Sequence, residues 1–212
     1  MPHPHTFGCK GRRCRPAHAR IANRPIYPPF RMLIAPATAR RFIKHYQDFL
    51  ASITDPEERK GKHIFQIMHL ARCRFAADRS LFATWRAQNA HRDGAILDAI
   101  ESMQIKRWIY LKDTRSYSVF LSPDADSAYA VYGLTQRLRD LTGYSGLSIE
   151  TGLCRIGTQY LCDGLLGQTV QLGPGYLKSF RATYDTLRKD GLFYLTPQDE
   201  ARSATLRADS KT

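Results

Sequence analysis

The amino-acid sequence predicts an α+β protein, with N-terminal helices followed by an antiparallel β-meander of about five strands and a closing C-terminal helix. Three observations predict this fold class. Apolar residues recur at helical spacing up to about residue 104, β-forming residues separated by turn signals follow from residue 106, and an amphipathic segment follows Gly173-Pro174-Gly175. Helices and strands therefore occupy separate stretches, which is typical of α+β domains rather than of alternating α/β folds.

The N-terminal helices are predicted from start signals and apolar faces. A proline suits the first turn of a helix over residues 36–53, which carries one continuous apolar face. Two starts compete for the second helix. One is Asp55-Pro56-Glu57-Glu58, with an N-cap and early acids, and the other is the apolar pattern from Ile64. A short third helix is expected to begin near Asp93.

The β-region is predicted from β-branched and aromatic runs between turn signals. The expected strands are 108–111, 117–121, 128–134, 147–154 and 159–166, with 169–172 extending or following the last. Residues 136–141 are expected to form a short helical connection. The closing helix has apolar residues at intervals of 3, 4 and 3, and Gly191 stands where a C-terminal glycine belongs.

The chain divides into a core segment and two tails. Residues 1–31 show neither helical nor strand periodicity and carry seven basic side chains and no acid, so we expect a disordered basic tail. Met32 opens the first patterned segment, which makes it an alternative start of the native chain. Residues 32–196 are expected to form a single α+β domain, and the polar residues 197–212 a flexible C-terminal tail.

Charge and composition restrict the class of protein. The formal net charge is +13, but residues 32–196 carry 22 basic and 16 acidic side chains, so about half of the positive charge lies in the N-terminal tail. No apolar run approaches the roughly 20 residues of a membrane span, so no membrane partner is expected. No signal-peptide pattern is present, and five scattered cysteines fit a reducing compartment. These features predict a cytoplasmic protein.

Glu150 and Asp163 are the candidate catalytic residues, because the predicted hairpin brings the two acids together. A two-residue loop at Ile156-Gly157 places them directly opposite each other, which is destabilising unless a cation, a shared proton or an arginine lies between them. A three-residue loop shifts the register, so that Glu150 faces Cys162 and Asp163 joins the apolar face. The structural alternative is that Asp163, next to a glycine, bonds backbone amides at a bulge.

The first hairpin carries the candidate nucleic-acid-binding residues. Stacking aromatic rings next to phosphate-binding charges are what single-stranded nucleic acid requires. The alternative is that these aromatics belong to the core. The candidate residues are Lys106, Arg107, Trp108, Tyr110, Lys112 and Arg115.

Three weaker patterns have ordinary structural explanations. His69 and Cys73 lie four residues apart on a predicted helix, so they could ligate a metal together, or His69 could help to form a Cys73 thiolate. Two further ligands are not evident, and we expect no metal and no cofactor. Histidines and cysteines of the N-terminal tail lack zinc-finger spacing. Gly173-Pro174-Gly175 could present amides to a phosphate, aided by Lys178 and Arg181, but lacks P-loop spacing.

Three functions remain open at the level of sequence. The leading hypothesis is a non-enzymatic protein that binds nucleic acid through its basic tail and first hairpin. The first alternative is a metal-dependent hydrolase or phosphodiesterase that uses Glu150 and Asp163. The second alternative is a protein-interaction module without a catalytic role. Salt-dependent binding is expected only for the first, and retention of a divalent metal only for the second.

Overall fold

The helices of the first hundred residues form one layer. The structure, a computed structural model, describes residues 32–209, so the predicted basic tail at 1–31 lies outside the described residues. The helices are α1 (Pro36–Ser52), α2 (Pro56–Arg59), α3 (Ile64–Ala77), α4 (Ser80–Gln88) and α5 (Gly94–Glu101). None of the described helices combines the length and the apolar character that crossing a membrane requires.

The two competing start signals of the second helix are both used. Asp55 caps the four-residue helix α2 in a capping box, and His63 caps α3 in the same way. Asp93 begins α5 as predicted, because its carboxylate accepts from the amides of Ala95 and Ile96. Helix α4 was not predicted as a separate element; its N-cap residue, Arg79, makes no capping bond, and the Asp78 carboxylate accepts from the Ser80 amide at 2.9 Å.

Within residues 32–209, seven strands form a mixed sheet, which confirms the α+β class but corrects the predicted antiparallel meander. Five strands pair in the order β1-β2-β3-β5-β4. Because β4 also pairs with β1, these five strands close into a ring. The pairings of β3 with β5 and with β7 are parallel. The strands are β1 (Gln104–Asp113), β2 (Ser118–Leu121), β3 (Ala128–Tyr132), β4 (Leu147–Ile156), β5 (Gln159–Cys162), β6 (Thr169–Gln171) and β7 (Phe193–Tyr194).

The chain connection after β3 explains the parallel pair. Helix α6 (Leu138–Thr142) carries the chain from β3 to the far side of β1, where β4 pairs with β1. The hairpin from β4 then returns β5 into the gap beside β3, so β5 runs in the same direction as β3. Closure removes the two free edges that an open meander would leave.

The register of the second hairpin differs from both predicted registers. Leu153 pairs with Cys162 and Ile156 pairs with Gln159, so the turn consists of Gly157 and Thr158. Gly157 has a positive φ of 57°, as the first position of a type II′ turn requires. The shift separates the two acids along the ladder.

Alternation along the strands sends most of the strand aromatics, together with several aliphatic side chains, into the barrel and sends the intervening residues outwards. The inner cluster includes Trp108, Tyr110, Phe120, Tyr129, Ile149 and Tyr160, and Leu138 of α6 closes one end. The outer face of β4 and β5 packs against the helical layer through Cys154, Ile156 and Leu161. The outer face of β1, β2 and β3 packs against α7 (Pro174–Lys189), mainly through Tyr184 and Leu187.

Residues 197–209 of the predicted C-terminal tail form a helix. Helix α8 (Pro197–Asp209) begins at Thr196, whose amide donates to Asp199 Oδ2 at 2.9 Å while its hydroxyl accepts from the Asp199 amide at 3.3 Å. Thr196-Pro197-Gln198-Asp199 is thus a capped helix start with a proline in the first turn. The polar composition of this segment alone did not indicate helix α8.

Candidate functional site

A fully buried arginine joins the helical layer to the barrel. Arg72 lies on α3, and its side chain is 0% exposed. One guanidinium nitrogen donates to the Leu165 carbonyl and lies 3.5 Å from Asp163 Oδ2. The other lies 3.4 Å from Glu150 Oε1. The structure therefore brings both predicted acids to one site, with the cation between them that their mutual repulsion requires.

Asp163 has hydrogen-bond partners on both carboxylate oxygens. Oδ1 accepts from the Thr151 hydroxyl at 2.9 Å and from the amides of Leu165 and Gly152 at 3.0 and 3.2 Å. The Tyr46 hydroxyl donates to Oδ2 at 3.3 Å. Burial raises the pKa of Asp163, while the Arg72 charge and these hydrogen bonds lower it. The arrangement matches the structural alternative, in which Asp163 holds an irregular segment after β5.

Glu150 and Asp163 do not form an open two-carboxylate site. Asp163 has no exposed side-chain surface, and Arg72 occupies the position that a shared metal ion would take. Two further acids of the barrel, Asp113 and Asp126, are bonded locally. Asp113 accepts from Tyr110 and Ser118, and Asp126 accepts from Ser122 and Ser127.

His69 and Cys73 meet Glu150 at the accessible edge of the Arg72 site. The Cys73 sulfur lies 3.7 Å from His69 Nε2, and His69 Nδ1 lies 3.3 Å from an Arg72 nitrogen. One ligand atom from each of His69, Cys73 and Glu150 lies within 4.8 Å of the others. Sequence spacing indicated the first two residues. The third comes from β4, 77 residues further on than Cys73, and no local pattern marks it.

The chain approaches this edge closely at Gly167. A Cβ atom there would lie 3.1 Å from Glu150 Cδ, 3.1 Å from His69 Cε1 and 3.2 Å from an Arg72 nitrogen. The Gly167 amide donates to the Glu150 carbonyl at 2.8 Å. A side chain at this position would push these groups apart.

The predicted stacking aromatics lie inside the barrel. Trp108 is 2% exposed and donates its indole N–H to the Thr151 carbonyl at 3.2 Å, while Tyr110 has no exposed surface. Their burial matches the core alternative and leaves the first hairpin without a stacking surface. Of its predicted basic residues, Lys106, Arg107 and Arg115 are exposed, and Lys112 is half-buried.

Helix α7 presents basic residues to solvent on the side away from the barrel. We define the α7 face by the exposed residues Tyr176, Lys178, Arg181 and Arg188; Tyr176 is 69% exposed. The α7 face adjoins the first hairpin, because Lys112 Nζ lies 4.5 Å and Arg188 Cζ 5.8 Å from the centre of the Tyr184 ring. No side chain caps the start of α7, and its first turn carries no acid.

A cavity of about 280 Å³ lies between α1, α3, α6 and the segment after β5. Its walls are mostly apolar, and Phe65 at the start of α3 is largely exposed. Asp163 and Tyr46 reach its lining but bond to each other, so the polar side chains left to orient a ligand are the uncharged Gln47, Thr135 and Gln136.

Comparison with models of known protein families, with curated proteins and with solved structures finds no match for this chain. Any assignment of function therefore depends on the geometry described above.

Proposed function

We propose that the protein binds single-stranded nucleic acid through the α7 face and the basic residues of the adjoining first hairpin. The observation that carries the proposal is the absence of ion pairs on the α7 face among the described residues. Lys178, Arg181 and Arg188 have no carboxylate within ion-pair distance, whereas arginines of the helical layer mostly do. Unpaired cations on a surface are free to replace the counterions of a phosphate backbone.

Two further features of α7 favour an anionic, base-containing ligand. The uncapped N-terminal amides lie at the positive end of the helix dipole, close in sequence to Lys178 and Arg181. Tyr176 presents an exposed ring in the same turn, and stacking on an exposed ring is tolerant of base identity. In this proposal Tyr176 replaces the buried Trp108 and Tyr110 as the aromatic part of the interface.

The barrel architecture supports the same ligand class. Its closed strand order, with a helix between β3 and β4, resembles that of OB-fold barrels, which bind oligonucleotides on the face of strands 2 and 3. Here α7 covers that face. The proposal therefore moves the interface outwards, from the strands to the exposed side of the helix that covers them.

The test is fluorescence anisotropy of the full-length protein with a labelled oligothymidylate over a series of salt concentrations. Lys178→Gln together with Arg181→Gln should weaken binding and lower the salt-dependence slope by about 1.4, since each lost single-strand phosphate contact contributes about 0.7. Tyr176→Ala should weaken binding by about 1–3 kcal/mol while leaving that slope unchanged.

The matched control is Arg40→Gln with Lys44→Gln on α1, where both residues are exposed and neither forms an ion pair among the described residues. This pair removes the same charge from the opposite side of the barrel. Every variant keeps the seven basic residues of the N-terminal tail. Equal losses in the two double variants would show that net charge drives binding and would remove the α7 face from the proposal. The absence of binding at any salt concentration would favour the protein-interaction module.

A further inference from the structure

We propose that His69, Cys73 and Glu150 form a zinc-binding site at the accessible edge of the Arg72 site. The proposal is independent of nucleic-acid binding. Thiolate, imidazole and carboxylate are the three ligand types of zinc in proteins, and their mixture favours zinc over the harder magnesium and calcium ions. In the described part of the chain, no other group of three such side chains comes as close together.

The distances fit a tetrahedral site. Zinc bonds of about 2.3 Å to sulfur and about 2.0 Å to nitrogen place the two ligand atoms about 3.5 Å apart. The observed separation between Cys73 Sγ and His69 Nε2 is 3.7 Å. The Glu150 oxygen lies within 4.8 Å of both, so a small rotation of its side chain would complete the set. Glu150 is half-exposed, which leaves it room to rotate.

Two independent elements hold the ligands. His69 and Cys73 lie one turn apart on α3, and Glu150 lies on β4 directly across from Arg107. The Arg107 guanidinium donates to Gln168 Oε1 at 2.6 Å rather than to Glu150. Arg72 contacts the Oε1 atom of Glu150, which orients the carboxylate and leaves Oε2 for the metal.

The local charge favours a divalent cation. When Cys73 is a thiolate, it adds a third negative charge to those of Glu150 and Asp163, and Arg72 is the only cation among the bonded groups. The network then carries two uncompensated negative charges. A zinc ion neutralises them.

Metal binding rearranges one hydrogen bond. Ligation through His69 Nε2 places the ring proton on Nδ1, which can then no longer accept from Arg72. That contact is 3.3 Å long, at the weak end of the hydrogen-bond range. Arg72 keeps the Leu165 carbonyl and both carboxylates as acceptors. The lost contact is therefore small compared with a zinc–thiolate bond.

Three protein ligands leave the fourth tetrahedral position open. Cys73 is exposed, so this position faces solvent and would hold a water molecule or an external anion. Sites of this type differ from closed structural zinc sites, in which all four ligands come from the protein.

The test uses full-length protein with Cys9→Ser and Cys14→Ser, which removes the competing thiols of the N-terminal tail. After treatment with a chelator, cobalt(II) is titrated and the thiolate-to-cobalt charge-transfer absorption is recorded. We expect one equivalent of cobalt, displaced by zinc, with an absorption that disappears in the further variant Cys73→Ser. His69→Gln and Glu150→Gln should weaken zinc binding roughly 10–100-fold or more, measured by competition with a chromogenic chelator.

The control is Asp185→Asn on α7, which removes one exposed acid on the opposite side of the barrel. It should leave zinc affinity unchanged. Near-ultraviolet circular dichroism checks that each variant is folded. The proposal is overturned if the protein shows no thiolate-to-cobalt absorption, or if that absorption survives Cys73→Ser.

Discussion

Arg72 and Glu200 hold two helices to the barrel in opposite ways. Arg72 of α3 is a cation that donates to barrel carboxylates and to a backbone carbonyl. Glu200 of α8 is a carboxylate that accepts from the hydroxyls of Tyr129 and Tyr160 and from the Arg155 guanidinium, at 3.2, 3.0 and 2.8 Å. Each helix thus docks through one charged side chain with several barrel partners.

The two anchors differ in their access to water. The Arg72 side chain is fully buried, whereas the Glu200 side chain is 21% exposed. Removing a buried charge leaves its partners uncompensated in a low dielectric, while water rescues the partners of an exposed one. We therefore expect the buried Arg72 contacts to stabilise the fold much more than the partly exposed Glu200 contacts.

The largest effect is expected for Arg72→Met. The substitution keeps the approximate volume of the side chain but leaves Asp163 as an unpaired buried carboxylate. We expect the free energy of unfolding to fall by about 3–5 kcal/mol, measured by urea denaturation at neutral pH. The control is Arg86→Met, which breaks exposed pairs with Asp98 and Glu101 and should cost less than about 1 kcal/mol. Equal losses of unfolding free energy in Arg72→Met and Arg86→Met would contradict the expected difference between a buried and an exposed charge.

A smaller effect is expected for Glu200→Ala. Three barrel donors lose their acceptor, but water reaches the site, so we expect a loss of about 1–2 kcal/mol. Hydrogen exchange should show faster opening of α8 than in the wild type, with the barrel strands unaffected. Unchanged protection of α8 amides would show that the helix docks through other contacts. Glu57→Ala, which removes an exposed acid of α2, is the control and should leave α8 unaffected.

The smallest effect at neutral pH comes from Tyr129, whose contribution to stability changes only at alkaline pH. Burial, with a smaller contribution from the charge of Glu200, raises the pKa of Tyr129 to about 12. Because the unfolded phenol ionises near pH 10, the stabilisation is complete below about pH 10 and is lost as pH rises towards about 12. Absorbance titration of the phenolate measures the shift. Tyr129→Phe should remove this part of the alkaline destabilisation, and Glu200→Gln should lower the Tyr129 pKa. A Tyr129 that ionises near pH 10 in the folded protein would contradict the prediction.

Local sequence signals predicted most of the helices and strands but not which strands pair with each other. The caps at Asp55 and Asp93 and the glycine after α7 were read directly from the chain, because these signals act within one turn. Closure of the barrel depends on the pairing of Val131 with Tyr160, which no periodicity specifies. Both predicted registers of the β4–β5 hairpin are wrong, because Gly157 is the first residue of the turn and not the last.

The candidate site was predictable by residue type and not by arrangement. Glu150 and Asp163 were identified because two strand acids close together need compensation, and that reasoning left open a cation, a shared proton or an arginine between them. The identity of the arginine required the docking of α3, which the sequence does not specify. For the aromatics of the first hairpin, residue type led to the wrong prediction. Trp108 and Tyr110 have the residue types of a stacking surface, but alternation along a closed barrel turns them inwards.

The separation of Arg72 from its partners also determines when the fold can form during synthesis. Arg72 leaves the ribosome 91 residues ahead of Asp163. At roughly 5–20 residues per second, the wait lasts between about 5 and 18 s for this segment of chain. Glu150 follows Arg72 by 78 residues, so for most of that interval α3 carries a cation that no barrel carboxylate can neutralise, and the helical layer cannot reach its final packing. The helices are therefore made first, but the Arg72 contacts that join them to the barrel are complete only after β5 and Asp163 have been made.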